Sequence, residues 1–201
     1  MPKIVDRDRY RQELLNKCFD LFADKGYGSV TMRQIAKELE VSTGTLYHYF
    51  PSKQNLFEQL VEVISQNDVN KALEELQGMQ TLQEKAEALG EYLVKNEDYF
   101  IKWTYVVVNF YQHKDAKEFQ KSDVFMRTNE RYTQAIYDLL GIKDKKLATF
   151  VYAFIDGLLL EKLWDNESVS ISEQCQLLGE ILTAYLENRV SNEHNRSRFK
   201  Q

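Results

Sequence analysis

Two prolines and eight glycines are all the punctuation this 201-residue chain has. So few breakers make long uninterrupted helices the leading expectation. Apolar runs are short as well. Leu158-Leu159-Leu160 is among the longest, and none approaches the length that spans a bilayer, so no membrane partner is expected. The N-terminal Met-Pro-Lys-Ile-Val-Asp-Arg-Asp has neither an apolar core nor a cleavage signal, which argues against export. Only two cysteines are present, Cys18 and Cys175, far apart and each among apolar neighbours. They read as buried free thiols of a cytoplasmic protein rather than as a disulfide or redox pair. The three histidines, His48, His113 and His194, are scattered, and none has a metal-ligand partner at short spacing. There is no nucleophile elbow and no glycine-rich phosphate loop. No metal, no cofactor and no enzymatic reaction are therefore expected.

What the chain does have is 43% hydrophobic and 28% charged residues, enough for a packed core and too apolar for wholesale disorder. Charge is unevenly spread. Residues 1–53 carry nine Lys/Arg and seven Asp/Glu, a net +2, whereas the remainder carries a net −7 of the total −5. An acidic whole is no general polyanion binder. A mildly basic head on an acidic body is compatible with docking a polyanion at one end only.

Helical spacing recurs along the whole chain, giving an all-α fold of about nine helices and no sheet. Leu14, Leu15, Cys18, Phe19 and Phe22 line one face of a first helix over residues 10–25, stopped by Gly26. Thr31 suits the N-cap of a second helix with Ile35, Ala36 and Leu39 on its apolar face. A short turn at Glu40-Val41 leads to a third helix from about Ser42 to Tyr49. Pro51 then breaks the chain, and Ser52 caps a fourth helix that carries Leu56, Phe57, Leu60 and Ile64. Further helical segments fall near 82–95, 98–112, 116–140, 144–165 and 171–189, with breaks at Gly78, Asn96, His113-Lys114-Asp115, Gly141 and Asn166 to Ser170. Val106-Val107-Val108 alone has strand character, and it is too short to outweigh its context. The polar tail from Asn192 to Gln201 has no apolar face and is expected to fray. Two domains follow: a three-helix head over 1–53 and a body over 54–201.

The stretch from Thr31 to Phe50 carries the chemistry. Two short helices crossing steeply need a small residue at the crossing, and Ala36 supplies it. Ile35, Leu39, Val41, Leu46 and Tyr49 are spaced to fill the wedge behind them. That leaves Ser42, Thr43, Gly44, Thr45, Tyr47 and His48 facing outward on the third helix. The face is small, polar and nearly uncharged, which suits entry into the major groove of DNA.

Thr31-x-x-x-Ile35-Ala36 followed by Val41-Ser-x-Gly-Thr-Leu-Tyr47-x-Tyr-Phe50-x-Ser-Lys53-x-x-Leu56 resembles the N-terminal signature of TetR-family regulators. Leu21-Phe22-Ala-Asp-Lys-Gly26-Tyr27 resembles that family's first helix and its exit, and the likeness runs from about Tyr10 to Phe57. Glu40 departs from it, standing where many helix-turn-helix motifs have Gly; a left-handed backbone there costs a non-Gly residue about 1 kcal/mol. The resemblance implies roles by position. Thr31 would touch phosphate, Arg33 a base edge such as guanine, and Thr43, Gly44 and Thr45 the bases. Tyr47 and His48 would meet backbone or a base edge, the reading favoured for His48 over that of an idle surface residue. Lys53 would bind phosphate, as the free amides at a helix start also suggest.

The body concentrates aromatic residues between 98 and 164. In the family the corresponding helices enclose a ligand cavity. The candidates for its lining are Trp103, Phe110, Phe125, Tyr132, Tyr152 and Asp156, each of which also reads as core. Asp156, alone in the most apolar helix, is either a satisfied structural group or a polar anchor. The resemblance further implies a homodimer through the last two long helices, with Gly157, Leu158, Leu178, Ile181, Leu182 and Tyr185 at the interface. The function expected is a repressor of a palindromic DNA operator, released by a small apolar or aromatic effector. A body that binds a protein partner is the alternative. A helical enzyme with a vestigial head is a third reading, against which intact Arg33, Tyr47 and Lys53 count.

Overall fold

A computed structural model describes residues 6–112, 123–142, 144–164 and 168–198. Among them nine α-helices follow one another without a strand: α1 (Arg7–Lys25), α2 (Met32–Glu38), α3 (Thr43–Tyr49), α4 (Lys53–Glu75), α5 (Leu82–Lys95), α6 (Glu97–Gln112), α7 (Val124–Leu140), α8 (Lys145–Leu163) and α9 (Ile171–Arg198). The all-α expectation is met. The valine triplet 106–108 lies inside α6, where flanking aromatic residues at helical spacing override local β preference. The break at His113-Lys114-Asp115 lies outside the described residues, and the helix expected from 116 is described from Val124. The tail does not end the last helix near 189: α9 continues to Arg198. Extending a helix that tertiary packing has already nucleated costs little per residue, so a polar stretch without an apolar face can follow it.

The helix boundaries have local causes. The Asp6 carboxylate accepts the Asp8 and Arg9 amides at 3.1 and 3.3 Å and starts α1. Gly26 ends it at φ 78°, returning its amide to the Phe22 carbonyl at 2.9 Å. A Cβ there would stand 2.9 Å from Asn109 Oδ1, so both conformation and space require glycine. Thr31 and Gln34 close a reciprocal capping box on α2. Glu40 takes the left-handed conformation expected of it, φ 57°, and the Val41 amide returns to the Ala36 carbonyl at 2.9 Å. Ser42 caps α3 through the Thr45 amide at 2.9 Å, and Ser52 caps α4 through the Asn55 amide at 3.0 Å.

The described residues pack as two compact units, one holding residues up to 69 together with 98–132, the other 70–97 together with those from 133 onward. The first is built around Leu15, Cys18, Phe22, Tyr27, Ile35, Leu46, Phe50 and Phe57, all 0 or 1% exposed. Phe110 of α6 stacks on Phe57 at 4.4 Å between ring centres and meets Tyr27 edge-on at 4.9 Å. Each such fully buried ring contributes roughly 1.5–3 kcal/mol of transfer energy. α4 runs unbroken from Lys53 to Glu75.

In the second unit α5 and α9 approach closely. A Cβ at Gly90 would lie 2.8 Å from Cys175 Cβ, and one at Gly179 would lie 2.6 Å from Gln83 Oε1. Gly179 thus serves packing within the chain. Around this contact lie Ile136, Leu140, Ile142, Ala148, Val151, Leu178 and Leu182. Cys18 and Cys175 are free and buried, and burial pushes their thiols up to about 12 and about 11. No helix among the described residues is long and apolar enough to cross a membrane.

Candidate nucleic-acid interface

α2 and α3 form a helix-turn-helix whose inner side is fixed by Ile35, Ala36, Leu39, Leu46 and Phe50, each at most 4% exposed. With that side buried, helical periodicity sends the other outward. Arg33, Ser42, Gly44, Tyr47 and His48 are exposed, and Thr43 and Thr45 are half-exposed. Thr31 is exposed as well, and Lys53 is half-exposed. The Thr45 hydroxyl lies 2.8 Å from Ser42 Oγ, so the N-cap also orients this side chain. His48 packs edge-on to Tyr49 at 5.3 Å between ring centres, and Tyr49 in turn meets Tyr10 of α1 at 5.6 Å. Lys25 pairs with Glu38 at 2.6 Å across α1 and α2 and holds that carboxyl below its usual range.

Gly44 stands out. Its φ is not positive, and a Cβ there would meet only Ser42 Oγ at 3.7 Å. Nothing within the chain excludes a side chain at this exposed position in the first turn of α3.

The other two residues are occupied by the fold. The Thr31 hydroxyl donates to Gln34 Oε1 at 2.8 Å and accepts the Gln34 amide at 3.3 Å. Lys53 is part-buried; its Nζ donates to the Tyr27 and Val30 carbonyls at 3.1 and 3.0 Å and sits 4.2 Å from the centre of the Tyr27 ring. Sequence reasoning put both at phosphate. Within the chain, Thr31 closes a cap and Lys53 clamps the turn between α1 and α2 to the start of α4, and a phosphate contact by either remains a proposal. The N-cap position of Thr31 was legible; the two carbonyls that converge on Lys53 are not encoded locally.

Of the effector candidates, Trp103, Phe110, Phe125 and Tyr132 fall in the first unit and Tyr152 and Asp156 in the second. Phe110 is 0% exposed and belongs to the core. Phe125 packs on it at 5.8 Å, and Trp103 lies beside Phe19 at 6.3 Å. The Tyr132 hydroxyl donates to Asp68 Oδ2 at 2.7 Å, as does that of Tyr99 to Oδ1. Sequence reading missed Asp68. Its signal was the spacing Glu62-x-x-Ser65-x-x-Asp68, a polar row at helical spacing. Asp156 lies on an exposed position of α8, but apolar surroundings desolvate its carboxyl and push it up to about 6, partly offset by a hydrogen bond from Tyr152.

The six interface candidates divide. Leu158, Leu178 and Leu182 are 7, 3 and 1% exposed and belong to the protomer's own packing. Gly157 is open, and Ile181 and Tyr185 are 51 and 47% exposed. The outward row on α9 is thus Leu177, Ile181 and Tyr185, while Leu178 and Leu182, one residue round the helix, face inward. On α8, Phe150 is 53% exposed and joins Ile181 and Tyr185 in lining a groove of about 380 Å³.

α2 and α3 thus form a helix-turn-helix with an exposed, largely polar face. The same region is matched in known proteins. Residues 14–60 match the family described as bacterial regulatory proteins, tetR family. The nucleoid occlusion factor SlmA of Haemophilus ducreyi is 42% identical over 66 residues, a stretch that spans 33% of this chain and 33% of that relative. The HTH-type transcriptional regulator BetI of Rhizobium meliloti is 23% identical over 92% of this chain and 94% of its own length. The transcriptional regulator FadR of Bacillus subtilis, solved in complex with stearoyl-CoA, superimposes with a TM-score of 0.62 at 15% identity, over 85% of this chain and 96% of its own. Residues 14–60 of this chain are thus similar to the tetR family of bacterial regulatory proteins, and its helical fold is similar to that of solved regulators such as FadR.

Proposed function

We propose that this protein binds double-stranded DNA as a homodimer, setting α3 of each protomer in the major groove of a palindromic operator. The observation that carries the reading is Gly44. Glycine lowers helix propensity relative to alanine, by up to about 1 kcal/mol in a helix interior and less in the first turn where Gly44 stands, and here the chain itself has room for a Cβ. Glycine at this exposed position lets an outside surface approach the α3 backbone within van der Waals contact, as the wall of a groove does. Arg33 and the hydroxyls of Thr43 and Thr45 supply base-edge contacts, Ser42, Tyr47 and His48 border them, and Thr31 and Lys53 hold the frame.

The homodimer reading is supported by the exposed apolar residues Phe150, Leu177, Ile181 and Tyr185 on the last two helices, surface that a soluble chain covers. The effector reading is supported by the aromatic side chains of α6 and α7 around Asp68. A small apolar or aromatic ligand favours one spacing of the two heads, so its effect on DNA equals its differential affinity for the two spacings. Repression is the output, because a dimer parked on a promoter blocks polymerase without further contacts. The experiment is selection of bound duplex from a random pool, followed by gel shift on the selected site. A palindromic consensus bound at two protomers per duplex is expected. No enrichment over the starting pool overturns the proposal.

A further inference from the structure

We propose that Thr45 reads thymine through its methyl group, so that each half of the operator carries a thymine at the base pair facing this residue. The inference rests on the reading above that α3 enters the major groove, and it names one base of the sequence that α3 selects.

A threonine carries two different groups on one carbon, and χ1 decides which of them meets a base. On a helix threonine divides between two rotamers, because its hydroxyl finds backbone partners in more than one of them. At Thr45 the choice is made from inside the chain. Ser42 Oγ accepts the Thr45 amide at 2.9 Å and lies 2.8 Å from Thr45 Oγ1. One oxygen thus holds both the backbone and the hydroxyl of the same residue. Side chains sit in staggered wells, so a hydroxyl held in one well fixes the methyl in another. The hydroxyl can still meet a base edge, but only in the direction that Ser42 leaves it. The methyl has no such tie.

The helix that carries it is fixed as well. Leu46 and Phe50 are both 0% exposed, which sets the rotation of α3 about its axis. Thr45, beside Leu46, is left half-exposed. Gly44 on its other side is exposed and adds no Cβ, so an approaching edge can come within the roughly 4 Å that apolar contact requires. Of the four bases only thymine presents an apolar group in the major groove, its C5 methyl; the other edges offer donors and acceptors. A methyl held in place there gains contact with thymine and nothing comparable with the other bases. A threonine free to turn would exchange methyl for hydroxyl and lose the distinction.

The test uses the full chain and the duplex selected from a random pool. Each thymine of a half-site is replaced in turn by uracil, which removes the C5 methyl and leaves the hydrogen-bonding edges as they were. Affinity is read by gel shift. At one thymine the exchange is expected to weaken wild-type binding by about fourfold per half-site, the worth of one buried methyl group. Thr45→Ser keeps the hydroxyl and its Ser42 contact but has no methyl, so the ratio between the thymine and uracil duplexes should fall to about one. Thr45→Val has a methyl in both positions, so the ratio should stay near fourfold, whatever the change does to affinity for both duplexes together. Circular dichroism checks that each variant is folded. If Thr45→Ser is not, Thr45→Ala takes its place, because it too lacks the methyl. No uracil-sensitive thymine in wild type, a ratio that survives Thr45→Ser, or a ratio lost in Thr45→Val overturns the inference. A pool that yields no enriched duplex defeats the proposed function and this inference with it, whereas an enriched duplex indifferent to every thymine methyl defeats this inference alone.

Discussion

The Lys53 ammonium lies 4.2 Å from the centre of the Tyr27 ring and donates at 3.1 Å to the carbonyl of that same residue. One side chain at the start of α4 thereby fixes the turn that leads into the helix-turn-helix. Removing its charge should loosen the head. Lys53→Met is expected to cost about 1–2 kcal/mol, the sum of a partly desolvated cation–π contact and hydrogen bonds to backbone. For a chain of this size that is roughly 3–6 °C in Tm. The dependence of DNA affinity on salt should stay that of the wild type. An unchanged Tm with a salt slope reduced by about 2 across the dimer would mean that Lys53 serves phosphate instead.

Gly44→Ala separates folding from binding in the opposite direction. The helix gains propensity worth up to about 1 kcal/mol, and the new Cβ meets only Ser42 Oγ at 3.7 Å, so stability should hold or rise. Operator affinity should fall by about tenfold or more, because about 1.4 kcal/mol of lost contact corresponds to a factor of ten. Thermal melts and gel shifts on the same preparation decide. A variant that is more stable and binds as tightly as wild type would remove α3 from the groove.

How much of this was legible beforehand follows from where each signal is stored. Caps, the left-handed Glu40 and the inward row of α2 and α3 are local, so Thr31, Ser42, Ile35 and Leu46 announce themselves by spacing. Roles that depend on non-local geometry did not. Lys53 meets carbonyls 26 and 23 residues away, and Asp68 meets phenols 31 and 64 residues away. Leucines 158, 178 and 182 looked like partner-facing residues because a leucine stripe is ambiguous until the neighbouring helix is placed. α5, drawn in at Gly90 and Gly179, claims the α9 side for the protomer.

That reassignment changes the dimer test. Ile181→Glu with Tyr185→Glu alters residues 51 and 47% exposed, so the protomer should stay folded while the dimer dissociates. Leu178→Ala alters a residue 3% exposed and should cost about 2–5 kcal/mol of folding stability. Sedimentation equilibrium beside circular dichroism distinguishes the two. A double variant that remains dimeric at micromolar concentration would rule out this face as the interface.

Asp156 gives a pH dependence whose sign can be worked out. Its carboxyl is pushed from 3.8 up to about 6, chiefly by burial, so folding favours the protonated form. Below about pH 4 the group is neutral in both folded and unfolded chains and carries no penalty. As pH rises toward 6 the unfolded chain ionises first, and the folded state is progressively disfavoured; above 6 the penalty is fully present. Glu38, Glu84 and Asp144, held below their usual range by Lys25, by the Thr81 amide and by Arg189, work in the opposite direction, so the wild-type curve alone cannot isolate Asp156. The difference between wild type and Asp156→Asn does. Asparagine keeps the shape and an acceptor for the Tyr152 hydroxyl but cannot ionise. Its Tm should match that of wild type near pH 4 and exceed it above pH 6.5, with the gap opening between those values. Because the residue is exposed, solvent screening should keep the gap to a few degrees. A constant difference across that range, or a variant less stable at pH 7.5 than wild type, would show that Asp156 is an ionised structural anchor rather than a desolvated acid.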